Sequence, residues 1–221
     1  MNKHMSSKQE LLRFWRTMGI AEHLLTAFSA IPREQFVSKK LEEHAYDDTP
    51  LPTIRHQSIS QPTTIMLMLH TLDIQPGENI LEVGAGVGYQ AAIISQLIGA
   101  QGRLTTVEVV PELVHLTREN MKRLNITNVQ VYEADGSEGF SPEAPFDKII
   151  ITAACPTIPQ PIIDQLKANG SVIAPVGDLR SQTMVKGTKV NGKLELEFLG
   201  PFVFVPMKGK YGFKEEEIGQ S

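Results

Sequence analysis

The sequence predicts an α/β fold: a mostly parallel, doubly wound sheet, preceded by helices and followed by an antiparallel extension. Three observations lead there. Strand-length apolar runs alternate with helical stretches from residue 80 to residue 176, the pattern of helices crossing over a parallel sheet. The run Lys148-Ile149-Ile150-Ile151-Thr152 is nearly all apolar, as strands covered on both faces are. After residue 184 the alternation stops, and two strand-like segments flank Asn191-Gly192, a strong hairpin signal.

Composition adds mild bounds. The 221 residues, 41% hydrophobic and 21% charged, suit one soluble domain. Its expected parts are a helical addition at 1–43, an ordered loop at 44–62, a core at 63–177 and a β extension at 178–221. A formal charge of -4 gives no electrostatic reason to expect a nucleic-acid partner. The single cysteine, Cys155, excludes an internal disulfide and suits a reducing compartment. No signal-peptide core precedes Leu11, and no run approaches the roughly 20 apolar residues of a membrane span. A cytoplasmic monomer with no membrane partner is expected.

In chain order, Ser7 and Glu10 have capping-box spacing before Leu11, Phe14, Trp15 and Met18, so a helix is expected to end near Gly19. Trp15 reads as a packing residue. A second helix spans 21–30 and stops before Pro32. Residues 44–62 hold three prolines and many small polar side chains, which describe an ordered extended loop. Pro62 opens the next helix, with Ser60 as its expected N-cap and Ile65, Met66, Leu69 and Leu72 on its buried side. Strands are expected at 80–83, 103–108, 129–134, 148–152 and 171–176. Helices are expected at 88–98, from Pro111, and at 159–166. The hairpin strands fall at 184–190 and 194–199, with one more strand at 202–205. The acidic tail at Glu215 to Glu217 reads as solvated.

The segment Asn79 to Gln90 concentrates the chemistry. Gly84, Gly86 and Gly88 follow the apolar strand at alternate positions; glycines let a backbone approach a ligand closely, and the helix start behind them offers unpaired N–H groups. The dinucleotide fingerprint wants its third glycine where Tyr89 stands. Glu82 at the strand end puts a negative charge where a pyrophosphate would be unwelcome and a cationic ligand would not. This acid-plus-glycines pattern resembles the first motif of S-adenosylmethionine-dependent methyltransferases, whose cofactor carries an ammonium and a sulfonium. Ligands of open parallel sheets sit beyond the carboxyl ends of the strands. There Glu108, 20 residues after Gly88, could accept both ribose hydroxyls. Asp135 could accept from an adenine amino group, with Gly136 leaving space for the base.

A more specific resemblance covers residues 31 to 212. The segments Ala-Tyr-Asp-Asp-Thr-Pro-Leu-Pro (45–52), Gln-Ser-Ile-Ser-Gln-Pro (57–62), Leu-Glu-Val-Gly-Ala-Gly-Val-Gly-Tyr-Gln-Ala-Ala (81–92) and Ala-Pro-Phe-Asp-Lys-Ile-Ile-Ile-Thr-Ala-Ala (144–154) are similar to those of the protein-L-isoaspartate (D-aspartate) O-methyltransferases. Pro-Val-Gly (175–177) and Phe-Val-Pro (204–206) extend the match. The resemblance implies a Rossmann-like methyltransferase fold, S-adenosylmethionine as cofactor, and methyl transfer to the free carboxylate of isoaspartyl residues in damaged proteins or peptides. It implies Ser60 as the active-site serine, with Ser58 and Ile59 on the cofactor. Arg55, His56 and Gln57, with backbone groups near Thr152 and Ala153, would meet the substrate. No metal is implied.

Some residues depart from the family pattern. The family commonly has Gly-x-Gly-Gln-Thr where this chain has Ile54-Arg55-His56-Gln57-Ser58, and Ala134 replaces a glycine. Loss of the glycines is expected to stiffen the loop, and Arg55 is expected to pair with the acceptor or a neighbouring peptide carboxylate. The chemistry itself needs no general base: a carboxylate with a pKa near 3.9 is already ionised at neutral pH, so only alignment is required. The run Thr152-Ala153-Ala154-Cys155-Pro156 lacks the Asn/Asp-Pro-Pro-aromatic motif of many amino-methylating enzymes. Two rival readings stay open, a methyltransferase for another acceptor and a non-catalytic cofactor-binding module. Cys155 reads as packing rather than nucleophile, and the six histidines show no metal-ligand spacing.

Overall fold

The computed structural model describes residues 6–219. Ser7 caps helix α1 (Lys8–Thr17), its side chain accepting from the Glu10 amide, and α2 (Glu22–Ala30) follows. Trp15 is fully buried. It packs edge-on against Phe28 with centroids 4.7 Å apart and donates from its indole nitrogen to Thr63 Oγ1 at 2.9 Å. Thr63 in turn donates from its hydroxyl to Asp48 at 2.7 Å, so the helical addition is tied to the 44–62 loop.

That loop is more ordered than its composition suggests. Two-residue strands β1 (Leu51–Pro52) and β2 (Ser58–Ile59) pair antiparallel around a 3-10 turn at Ile54–His56. Helix α3 (Pro62–Leu72) is capped by Gln61, with no side-chain bond. This corrects the expected cap: Pro62 takes the first helical position, so the cap falls on the residue before it and Ser60 lies outside the helix.

Among the described residues the main sheet has seven strands: β3 (Asn79–Val83), β4 (Arg103–Glu108), β5 (Val129–Glu133), β6 (Phe146–Ile151), β7 (Leu166–Gly177), β8 (Gln182–Val190) and β9 (Lys193–Phe202). Their order is β5-β4-β3-β6-β7-β8-β9. The first five are parallel; β8 and β9 are antiparallel. The chain winds outward from β3 to β5, then returns to lay β6 on the other side of β3, which sets the reversal of winding at β3.

The buried side chains sort by strand period. Ile80, Leu104, Ile150 and Ile173 join one apolar layer with α1 to α3 and helix α4 (Tyr89–Ile98). Leu81, Val83, Val107, Ile149, Ile151 and Val172 join the opposite layer. Helix α5 (Pro111–Arg123) starts on the expected proline.

Two expectations fail at the edges. Helix α6 (Gln160–Asp164) is short, because Leu166 already pairs with Phe146 as the start of β7. Lys189 Nζ donates to the carbonyls of Ile163 and Leu166, both at 2.8 Å, satisfying the helix end as a cation should. No separate strand forms at 202–205. Phe202 is the last residue of β9 and faces Gln182, where β8 begins; past it β8 offers no further backbone partner, and Phe204 N donates to the Gln182 side chain at 2.8 Å. At the hairpin, Asn191 and Gly192 have φ of 50° and 79°, as a type I′ turn requires. The acidic tail forms a short exposed helix, α7 (Glu215–Ile218). Among the described residues no helix is long and apolar enough to cross a membrane.

Candidate active site

A cleft opens at the carboxyl ends of β3, β4 and β6. Its floor is the glycine turn after β3. Gly84 N and Ala85 N donate to Val107 O at 2.9 and 3.2 Å. Thr152 Oγ1 donates to the carbonyls of Val83 and Gly84 at 2.9 and 2.7 Å. Thr117 and Asn120 hold the carbonyls of Gly86 and Val87 from α5 at 2.8 and 2.9 Å. At Gly84, φ is +95° and a Cβ would run into the Thr152 hydroxyl, so the turn admits only glycine there.

Glu108 stands at the edge of this floor, 8% exposed. One carboxylate oxygen accepts from Val109 N and Val110 N at 2.9 and 3.0 Å; the other accepts from Gly86 N at 2.9 Å. An ionised carboxylate offers about four acceptor positions. The backbone takes three, which leaves one for a ligand hydroxyl rather than the two expected.

Of the residues expected around the ligand, Gln57, Ser58, Ile59, Ser60, Gly84, Gly86, Glu108, Gly136, Thr152 and Ala153 line the cleft. Five others stand elsewhere. Glu82 is fully buried beneath the turn, accepting from Thr106 Oγ1 at 2.5 Å and from Gln90 Nε2 at 3.1 Å. Burial pushes its carboxyl up to about 8, so at neutral pH it is mostly protonated and supplies no charge to a cationic ligand. Gly88 caps α4 with φ of 83°, and a Cβ there would strike Thr117 and Met121; its role is packing. Asp135 caps its own turn through Ser137 N at 2.9 Å and accepts from Lys210 N at 2.8 Å. It therefore pins the C-terminal segment.

Arg55 and His56 face a neighbouring groove lined also by Leu51, Thr53 and Val110. The Arg55 guanidinium is exposed and pairs with Glu112 at the start of α5, its Nε donating at 2.9 Å. The partner is thus internal, where a substrate carboxylate was expected. Both residues adopt left-handed backbone, φ 56° and 58°; of the two, only position 56 carries glycine in the family pattern.

Sequence reading missed the opposite wall. Val205, Pro206, Met207 and Lys208 line the cleft; Ala154 N donates to Val205 O, and Met207 N to Ala154 O, both at 2.8 Å. Lys208 adds a cation to the lining that also holds Glu108. Tyr89, read only as a missing glycine, lines the cleft and is 1% exposed. Cys155 is buried, and burial pushes its thiol up to about 12, which fits packing.

Comparisons with known proteins converge. The family described as protein-L-isoaspartate(D-aspartate) O-methyltransferase (PCMT) matches residues 6–212. A protein-L-isoaspartate O-methyltransferase of Methanoculleus marisnigri is 42% identical over 211 residues, 95% of this chain and 94% of that one. One from Methanocella arvoryzae is 44% identical over 184 residues, 83% and 97% of the two chains. A solved protein-L-isoaspartate O-methyltransferase superposes with a TM-score of 0.87 at 28% identity, covering 93% of this chain and 67% of that one. A Plasmodium falciparum structure, described as a putative enzyme of this kind in complex with S-adenosyl-L-homocysteine, gives 0.80 at 24% identity, with 93% and 99% covered.

Proposed function

The chain belongs to the protein-L-isoaspartate(D-aspartate) O-methyltransferase family, and from that premise we infer that it methylates the free carboxylate of isoaspartyl residues in damaged proteins or peptides, using S-adenosylmethionine. The observation that carries this reading is one cleft holding both Ser60 and the glycine turn. Methyl esterification lets a succinimide form and reopen partly to normal aspartate, so the biological role is protein repair.

The residues present fit the cofactor. The glycine floor excludes side chains where a ligand must approach, Glu108 keeps one acceptor position free of backbone donors, and Val107, Ala134 and Gly136 line the cleft with small apolar groups suited to a base. The sulfonium supplies an activated methyl group. Glu108 would hold a ribose hydroxyl, and Ser58 and Ile59 would close over the ligand. Ser60, half-buried on the facing wall, would donate to one oxygen of the acceptor carboxylate, with backbone groups at Thr152 and Ala153 bounding its approach. The acceptor is ionised at neutral pH, so no side chain need remove a proton. Alignment in a confined cleft is the main service, and orientation of this kind contributes on the order of 7–11 kcal/mol to barrier reduction.

A monomer built as one unit, acting in the cytoplasm, fits this reading. The test is labelled methyl transfer to an isoaspartyl peptide and to its normal aspartyl twin. Label in the first alone is expected. Equal labelling of both, or of neither, would overturn the assignment.

A further inference from the structure

Arg33 is a charged residue that the reaction as described leaves without a task. It is fully buried. Its Nε donates to Ala45 O at 2.7 Å and one terminal nitrogen donates to the backbone carbonyl of Ser60 at 2.9 Å. The other terminal nitrogen, Nη1, is buried with no hydrogen-bond partner. The guanidinium lies 5.0 Å from the ring centroid of Tyr89, whose buried hydroxyl has no partner of good hydrogen-bond geometry and is close enough to the guanidinium to interact with it. No carboxylate comes within ion-pairing distance of Arg33 among the described residues. A buried charge without a counterion is costly, and such groups concentrate at functional sites.

Its position gives the cost a purpose. Ser60 and Tyr89 both line the cleft, and Arg33 touches each from behind. Desolvation lowers the guanidinium's affinity for its proton, yet arginine stays charged in proteins, so a fixed cation stands one layer behind the acceptor end of the cleft. The titratable groups around it are Tyr89 from α4, Tyr46 and Asp48 from the adjoining loop, and Glu34 beside it in the chain. Both phenols are pushed up by burial and stay neutral. Asp48 is engaged by Thr63, and Glu34 accepts from Tyr46. The cleft itself presents Glu108 and Lys208, with Glu82 beneath.

We propose that Arg33 is a positioning residue for methyl transfer, which fixes Ser60 through its carbonyl and supplies the buried positive charge that keeps the incoming acceptor carboxylate ionised. The inference rests on the isoaspartyl reading of the cleft. It has a signature that mere packing lacks. A cation near a carboxylate lowers that group's pKa, and the acid limb of kcat reports ionisation in the bound complex. Removing the cation must therefore move the limb to higher pH.

The experiment follows kcat and KM for an isoaspartyl peptide from about pH 4 to about pH 8 at saturating cofactor, in wild type, Arg33→Met and Arg33→Lys. Calorimetry gives each protein's affinity for S-adenosylhomocysteine. Replacing a buried ion by an apolar side chain of similar size is often tolerated. Arg33→Met should shift the acid limb upward by about one unit, a tenfold change in ionised acceptor, and raise KM about tenfold, with cofactor-product affinity within about threefold. Arg33→Lys keeps the charge and loses the fork, so the limb should stay in place while KM rises. An unmoved limb in Arg33→Met overturns the proposal, as does a limb displaced equally in Arg33→Lys. If Arg33→Met does not fold, Arg33→Lys decides alone by the position of its limb. Wild-type protein that binds S-adenosylhomocysteine but leaves isoaspartyl peptide unmethylated would instead refute the functional reading, and this acceptor role with it.

Discussion

Substituting Glu82 by glutamine should raise stability at neutral and alkaline pH while leaving it nearly unchanged in acid. The carboxyl is fully buried and raised from 4.5 to about 8, chiefly by desolvation. In the folded chain it stays protonated to about pH 8; in the unfolded chain it ionises near its ordinary value. Between those limits the native state binds the extra proton, so wild-type stability is full below the unfolded pKa and is lost as pH rises through the folded one. The limiting slope is about 1.4 kcal/mol per pH unit, and over this window the loss approaches roughly 5 kcal/mol as an upper bound. Glutamine keeps both contacts, since its amide oxygen can accept from Gln90 and its amide nitrogen can donate to Thr106. Urea titrations at pH 5, 6, 7 and 8 on the two proteins test this. Near pH 5 the curves should nearly coincide; by about pH 8 the variant should be several kcal/mol more stable, or some 10 °C higher in Tm for a chain of this size. Affinity for S-adenosylhomocysteine should be unchanged. Parallel stability curves would show that Glu82 ionises in the fold, and a lost affinity would return it to the ligand.

Three further outcomes are expected. Glu108→Ala should weaken S-adenosylhomocysteine binding at least about tenfold by calorimetry, because it removes the ligand acceptor and strands three backbone N–H groups that the carboxylate now satisfies. Ser60→Ala should lower kcat for isoaspartyl peptide with cofactor-product affinity and Tm intact; a helix-cap role would instead cost about 0.5–2 kcal/mol of stability, and Gln61 holds that position. His56→Gly should raise Tm by a few degrees, since a left-handed conformation costs a non-glycine residue about 1–2 kcal/mol and φ there is 58°; an unchanged or lower Tm would show that the loop is not strained.

What the sequence made legible was local. Strand and helix periods, the glycine turn and the Asn-Gly hairpin each lie within a few residues, and the structure has them at nearly the expected places. The cleft residues contributed by strand ends, Glu108 and Gly136, were legible because a parallel sheet always presents those ends together. Residues whose meaning depends on distant neighbours were not. Glu82 sits at a strand end like Glu108, yet its side chain points beneath the turn toward Thr106 and Gln90, and no period distinguishes the two directions at the last residues of a strand. Arg33 was passed over because its partners, Ala45 and Ser60, are 12 and 27 residues away. Arg55 was assigned to a substrate because Glu112, 57 residues on, could not be placed beside it.

The C-terminal wall also bears on how the protein comes into being. Synthesis proceeds from residue 1, and the glycine turn, Glu108 and Ser60 are all made well before Val205 to Lys208. Asp135 waits for Lys210 N, and Ala154 for Val205 and Met207. A ribosome-bound chain stalled short of these residues would carry the whole parallel sheet and still lack one side of its cleft. Until residues 205–208 join Ala154, the cleft lacks one wall, so cofactor affinity is expected to depend on this late-made segment.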